Sequence, residues 1–432
     1  MSTSTKTQKK HRRARAGWLA AALALIVSPA APAQPVSPLS FDEALQLAVA
    51  DSPRLAAQAR AAEAAEAAIT PAGQLPDPKL TLAVDNLPVN GPDRWSLTQD
   101  FMTMRRVGVM QDFPRAEKRR LREERARAEA DREGATLVAQ SAAARQEIAT
   151  AWLDQWFAQA QVGTLAELEP EAALVVDIAR AQLAGGKGSA ADALAARGAA
   201  VALQDRLTEV RRDLLRARSA LARWVGPAAT RPLSAPPDLT ALSAPPERLL
   251  AGIEHHPELS AYGPMAAMAR AEVGLARAAK QPDWSLELAY QQRGPAFSNM
   301  VSVAVRIDLP LWGEKRQDPL IRAREKQLEQ VEAEREDARR MHAAELHADI
   351  ATWESAKERA ARLANELVPL ARERTAAALA AYRGGRGDLS AVLTARSNEI
   401  ETRLMAIRQQ AELGQAWARL NFLLEAHTAE SQ

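Results

Sequence analysis

With 432 residues, a large alanine share, 25% charged residues and only 4% aromatics, the chain is composed like a long helix-on-helix protein rather than a compact multidomain enzyme. It has no cysteine, which excludes disulfides, thiolate metal sites, cysteine nucleophiles and an acylated N-terminal cysteine. The formal charge of +2 is set by the N-terminus, so it gives no argument for nucleic-acid binding.

In that terminus Lys6, Lys9, Lys10, Arg12, Arg13 and Arg15 precede an apolar run from Trp18 to Val27, and Ala31-Pro32-Ala33 follows. This order predicts a secretion signal over residues 1–33. Removing those six basic residues leaves 50 Lys+Arg against 54 acids, a formal charge of −4. No later apolar stretch is long enough for a transmembrane helix, so any membrane crossing falls to strands.

The remainder reads as two tandem repeats, residues 34–225 and 247–427, joined by a proline-rich linker over 226–246 and ending in a short tail over 428–432. Ser52-Pro53-Arg54-Leu55 returns as His256-Pro257-Glu258-Leu259, Pro76-Asp77 as Pro282-Asp283, and Val107 to Pro114 as Val303 to Pro310. Trp152 returns as Trp353, Pro170 as Pro369, and Gly185-Gly186-Lys187-Gly188 as Gly384-Gly385-Arg386-Gly387.

Each repeat opens with a predicted helix, Phe41 to about Thr70 and Pro246 to about Lys280, the first capped by Ser40 with Glu43 three positions on. A strand pair follows, about 79–85 with 101–113 and about 284–290 with 299–309. In the last strand Val303, Val305, Ile307 and Leu309 fall on one face, and Ser302, Arg306 and Asp308 on the other. Leu286 and Leu288 continue the apolar face and Glu287 the polar one, as expected for a strand with lipid on one side and a watery lumen on the other. A half-buried strand of a soluble sheet has the same alternation.

Long helices are then predicted over about 116–184 and 318–383, each roughly 100 Å long at 1.5 Å per residue. Pro170 and Pro369 should kink them at the same height. Gly185-Gly186 and Gly384-Gly385 should end them, with return helices over about 190–225 and 388–424 completing two hairpins. Four short strands cannot close a membrane barrel, so several chains must share one.

This repeat of helix, strand pair and long hairpin with a glycine-bearing tip, behind a secretion signal, resembles the TolC-like outer-membrane efflux channels. Asn86 to Asp93 and Asp100 to Gln111 are similar to the subgroup serving heavy-metal pumps of the cobalt-zinc-cadmium and copper type. The resemblance implies a mainly α fold with a small β part. It also implies a homotrimer with a 12-stranded outer-membrane β-barrel and a periplasmic helical tunnel. Implied partners are a periplasmic adaptor (membrane fusion) protein, an inner-membrane RND-type pump and outer-membrane lipid, with no nucleic acid and no cofactor.

The hairpin tips, Gly185, Gly186, Lys187 and Asp192 with Gly384, Gly385, Arg386 and Asp388, are then expected to form the periplasmic entrance and the adaptor dock. Family members often close that entrance with aspartates in the second return helix, where this chain has Ala391 and Thr394. Asp192 and Asp388 are expected to supply the acidic ring instead, the plain alternative being N-capping by Asp388 and a solvated Asp192.

No catalytic, cofactor or resident metal site is expected. His342 and His347 are five apart, off the i, i+4 spacing of a helical zinc pair, and read as a solvated helix face; His255-His256 reads as a helix break before Pro257. Met102, Met104 and Met110 read as packing residues rather than copper(I) ligands. The basic run from Arg115 to Arg132 is interleaved with acids and reads as an ion-paired helix face. The function expected is a passive duct for heavy-metal cations, with three alternatives: a type I secretion channel, a drug-efflux channel, or a soluble periplasmic coiled-coil adaptor. The strand pairs separate the ducts from the adaptor, which has no need of them.

Overall fold

A computed structural model describes residues 37–423; the expected signal peptide and C-terminal tail lie outside them. Ser40 caps α1 (Phe41–Ala50) by accepting the Glu43 N–H at 3.1 Å. The Glu43 carboxylate pairs with Arg231 at 2.7 Å. The first predicted helix is in fact two, because Ser52 caps a fresh start at α2 (Pro53–Gly73), with Pro53 in the first turn where its missing N–H costs nothing.

The second opening helix breaks in the same way. It becomes α5 (Pro246–Ala251), two single 3₁₀ turns around His256-Pro257, and α6 (Tyr262–Ala278). Single-residue caps decide these breaks, and hydrophobic period alone does not report them.

Strands β1 (Lys79–Asp85), β2 (Met104–Phe113), β3 (Trp284–Gln292) and β4 (Met300–Ile307) form one antiparallel sheet in chain order. The middle pairing, β2 with β3, joins the two repeats, Val107 facing Tyr290 and Val109 facing Leu288. Two boundaries shift from expectation. β2 starts at Met104 because Asp100 accepts the Met102 and Thr103 N–H groups in a turn, and β4 ends at Ile307, leaving Asp308 and Leu309 beyond it.

The first hairpin is α3 (Ala116–Ala184) with α4 (Ala190–Val225). The second is α7 (Asp318–Arg362), a wide π turn over Leu363–Leu367, α8 (Val368–Arg383) and α9 (Leu389–Asn421). The two prolines are handled differently. Pro170 sits within an unbroken α-helical run, whereas Pro369 is preceded by the π turn, which absorbs the missing donor and the ring's clash with the preceding turn. The basic start of α3 is ion-paired as expected, Arg120 to Glu124 at 2.6 Å and Arg127 to Glu123 at 3.1 Å.

The main core lies where both repeats meet: Phe41, Ile148, Trp152, Leu221, Leu346, Trp353 and Trp417 belong to one buried cluster. Phe41 meets Trp152 edge-on, with centroids 5.5 Å apart, and Trp417 at 5.7 Å. The inter-repeat segment is part of this core. It is not a loose linker: Leu39 pairs with Leu233 as a parallel bridge, Trp353 donates its indole N–H to Leu239 O at 3.1 Å, and Trp417 donates to Ala241 O at 2.7 Å. Its prolines stop helix formation, and the carbonyls left without helical partners accept tryptophan N–H groups from the two arms of the second hairpin.

Candidate functional site

Strand pairing assigns the two faces of the sheet. Leu80 and Leu82, Val107 and Val109, Leu286, Leu288 and Tyr290, and Val301, Val303, Val305 and Ile307 lie side by side on one face. That face is open: Leu288 is 57% exposed, Val303 67% and Val305 59%. On the other face Glu287 is only 6% exposed and Ala289 3%. The sheet thus exposes its greasy side and buries the centre of its charged side, the reverse of a water-soluble sheet.

The covered face carries a charge ladder across all four strands. Arg106 of β2 lies 3.1 Å from Asp85 of β1 and 3.5 Å from Glu287 of β3, and Glu287 also pairs with Arg306 of β4. Lys79 pairs with Asp112 at 2.7 Å, and Gln291 donates to Ser302 at 2.9 Å. Gly108 leaves room for the ladder, since a Cβ there would lie 3.1 Å from that of Ala289. Of the residues expected on the polar side, Glu287, Ser302 and Arg306 therefore share one face. Asp308 lies past the strand end, its N–H donating to Asp283 O at 2.9 Å. Leu286, Leu288, Val303, Val305 and Ile307 share the open face, with Leu309 exposed just beyond it.

At the sheet edge nearest the helices Phe113 stacks on Trp284 at 4.3 Å, and Trp312 is exposed nearby in sequence. At the opposite edge Trp95 and Phe101 are exposed on the β1–β2 loop. Aromatic residues at both borders of an apolar band are the pattern of a membrane-facing surface. Met104 and Met110 are six residues apart on one strand, about 20 Å, so they do not converge on one ion.

The hairpin tips are nearly identical. Gly186 and Gly385 take φ of +70° and +68°. The next N–H reaches back over the helix end, Lys187 to Gln182 O and Arg386 to Ala381 O, both at 2.9 Å. This is the Schellman closure, which needs a left-handed residue at the turn and explains the second glycine of each pair.

Beyond the turn the two aspartates differ. Asp192 accepts the Ser189 hydroxyl at 2.7 Å and the Ser189 N–H at 3.2 Å in a capping box. Asp388 occupies the N-cap of α9 but accepts no backbone hydrogen bond with its carboxylate, and it is exposed beside Arg386. The roles in the plain alternative are thus exchanged, Asp192 capping and Asp388 solvated. Val175, Val176, Ala179, Ala196, Tyr382, Leu389 and Val392 pack the two hairpins together just above the tips. Burial there, with the charge of Asp192, pushes the Tyr382 hydroxyl above its ordinary pKa.

A third cluster was not legible in the sequence, because its members lie 86 positions apart. His256, at the 3₁₀ turns, stacks on His342 of α7 with ring centroids 4.0 Å apart, and both are buried. The ring nitrogens of His342 lie 3.1 Å from Glu258 and 3.1 Å from Glu345. His256 Nδ1 accepts the Glu258 N–H at 3.2 Å. Burial, followed by the charge of His342, lowers the His256 pKa to about 4, so that imidazole stays neutral at ordinary pH. His255 and His347 are exposed and take no part.

Fold and sheet together define the class: a two-repeat chain that carries an outward-apolar strand segment on long helical hairpins, the build of a TolC-like channel protomer. The chain belongs to the outer membrane efflux protein family, whose description fits residues 44–227 and 252–425. Members of that family are transport ducts and not enzymes. Among the described residues no helix is long and apolar enough to cross a membrane.

A curated relative is the cobalt-zinc-cadmium resistance protein CzcC of Cupriavidus metallidurans, 27% identical over 66% of this chain and 66% of that protein's length. Among solved structures, the outer membrane protein VceC of Vibrio cholerae superposes with a TM-score of 0.74 at 19% identity, covering 89% of this chain and 95% of that one. CusC superposes with a TM-score of 0.73 at 16% identity, covering 90% and 93%.

Proposed function

We propose that this protein is the outer-membrane exit duct of a tripartite efflux system, passing heavy-metal cations handed over by an inner-membrane pump through a periplasmic adaptor. The observation that carries the reading is the inverted sheet, with apolar residues exposed on one face and the Asp85–Arg106–Glu287–Arg306 ladder, buried at Glu287, on the other. Such a sheet is stable only where lipid bathes the open face and water or protein the other.

Its outer strands, β1 and β4, run antiparallel to each other, so the free edge of β4 in one copy can continue onto β1 of the next without breaking the pattern. Three copies give twelve strands, above the roughly eight that the smallest membrane barrels need. The metal cargo rests on the similarity to CzcC, whose name assigns it to cobalt, zinc and cadmium resistance. Transport is passive: the sequence holds no G-x-x-x-x-G-K-[ST] nucleotide loop. The driving force then comes from the pump.

Deleting the gene should sensitise cells to zinc, cobalt or cadmium salts, and the protein should fractionate with outer membranes. Sensitisation to hydrophobic drugs alone would reassign the cargo, and recovery in the soluble periplasmic fraction would remove the duct reading altogether.

The tips are the proposed periplasmic mouth and adaptor dock. Asp388 and Asp192, three copies each, supply its acidic ring, Asp388 with its carboxylate free of any cap. In planar bilayers the Asp192→Ala, Asp388→Ala variant should lose cation preference and block by multivalent cations. Unchanged selectivity would show that the ring lies elsewhere.

A further inference from the structure

The stacked histidines pose a chemical problem. A neutral imidazole has one N–H, yet both nitrogens of His342 lie 3.1 Å from carboxylate oxygens, Nε2 from Glu258 and Nδ1 from Glu345. One of those contacts sets a lone pair against an anion. A cation held between imidazole and carboxylate satisfies that contact.

The second buried imidazole, His256, lies against Glu258, the residue of one of those carboxylates. Among the described residues His256 Nε2 makes no hydrogen bond to protein, while its Nδ1 only accepts the Glu258 N–H. A cation uses both rings. The ligating atoms of His256, Glu258 and His342 lie within 4.8 Å of one another. Two donors about 2.0 to 2.2 Å from one tetrahedral ion stand about 3.4 Å apart, close to the His342–Glu258 spacing. Two nitrogens and one carboxylate oxygen form a donor set favoured by zinc and its neighbours. The imidazoles are desolvated while the carboxylates are open to solvent, giving an ion a route in.

We propose that His256, His342 and Glu258 form a binding site for one divalent transition-metal ion per chain, with Glu345 orienting His342 through its Nδ1–H. Zinc and cobalt(II) are the fitting ions. The two rings are stacked parallel, at 16°, and parallel rings cannot aim lone pairs at one ion. Loading therefore turns the His256 ring out of the stack, giving up its Nδ1 contact with the Glu258 N–H, and leaves its proton on the nitrogen facing away from the ion. The ion clamps the 3₁₀ turns that open the second repeat onto α7. The proposal is independent of the cargo and of the duct reading, since it concerns an ion that stays bound to the helical body.

The test is metal binding by purified full-length protein in detergent, with no transport involved. Cobalt(II) should bind at one ion per chain with the visible absorption of a low-coordinate nitrogen-oxygen site, and zinc should displace it. Zinc should also raise the thermal midpoint. Glu258 is largely exposed, so Glu258→Gln should fold normally and weaken cobalt binding at least about tenfold, as should His342→Gln. His347→Gln, on the exposed side of α7, should bind like the parent. Equal binding by parent and Glu258→Gln would overturn the proposal, as would no stoichiometric binding by the parent.

Discussion

Replacing Val305 by arginine should destabilise the membrane-seated protein by about 2 to 4 kcal/mol, the cost of a cation on the lipid face near mid-bilayer. Val305 sits in the inner part of β4 opposite Leu286, flanked on its face by Val303 and Ile307. An arginine there has no carboxylate neighbour, since the acids of the sheet lie on the opposite face with Arg106 and Arg306. Ser302→Arg, on the polar face, should cost much less. Urea unfolding in lipid vesicles, followed by tryptophan emission, measures both. Cysteines introduced one at a time give a second readout. If a water-soluble thiol reagent confined to the lumen labelled positions 303 and 305 while sparing 304 and 306, the facing would be reversed.

Trp152→Ala should cost about 3 to 5 kcal/mol. Trp152 is fully buried, touches Phe41 edge-on and lies in the cluster that holds both repeats together, so its removal opens a cavity with no single element free to collapse into it. Among the described residues its indole N–H has no partner, so the loss is one of packing and not of hydrogen bonding. Trp152→Phe should recover much of the stability, and a shift in the thermal midpoint of the detergent-solubilised protein reads both. A Trp152→Ala variant as stable as the parent would mean that this cluster does not join the repeats.

Much of this architecture was legible in the sequence because its signals are periodic or chemically singular. The alternation from Val301 to Ile307 set the strand and its faces, and the returning glycine pairs located both tips. Helix α3 ends just before the left-handed Gly186.

What escaped depended on contacts distant in sequence. The breaks at Ser52 and His256 turn on single caps. Nothing local says that the prolines of residues 226–246 mark a segment whose carbonyls accept Trp353 and Trp417. Asp192 and Asp388 sit at different offsets from their glycine turns, Asp388 in the place of Ser189, and only Asp192 has a serine three residues before it to close a capping box. His256 and His342 each looked ordinary, and only the packing of the opening turns on α7 joins them.

The pairing of β2 with β3 also sets a clock on biogenesis. Phe113 must wait for Trp284, and the whole first helical hairpin lies between them. A loop of that length closes slowly, and the first strand pair has no covering partner in the interval. Until the second half arrives, Leu80, Leu82, Val107 and Val109 form an unfinished adhesive edge. The protein's yield should depend on how quickly the second half follows the first, or on a holdase that masks the early pair until it does.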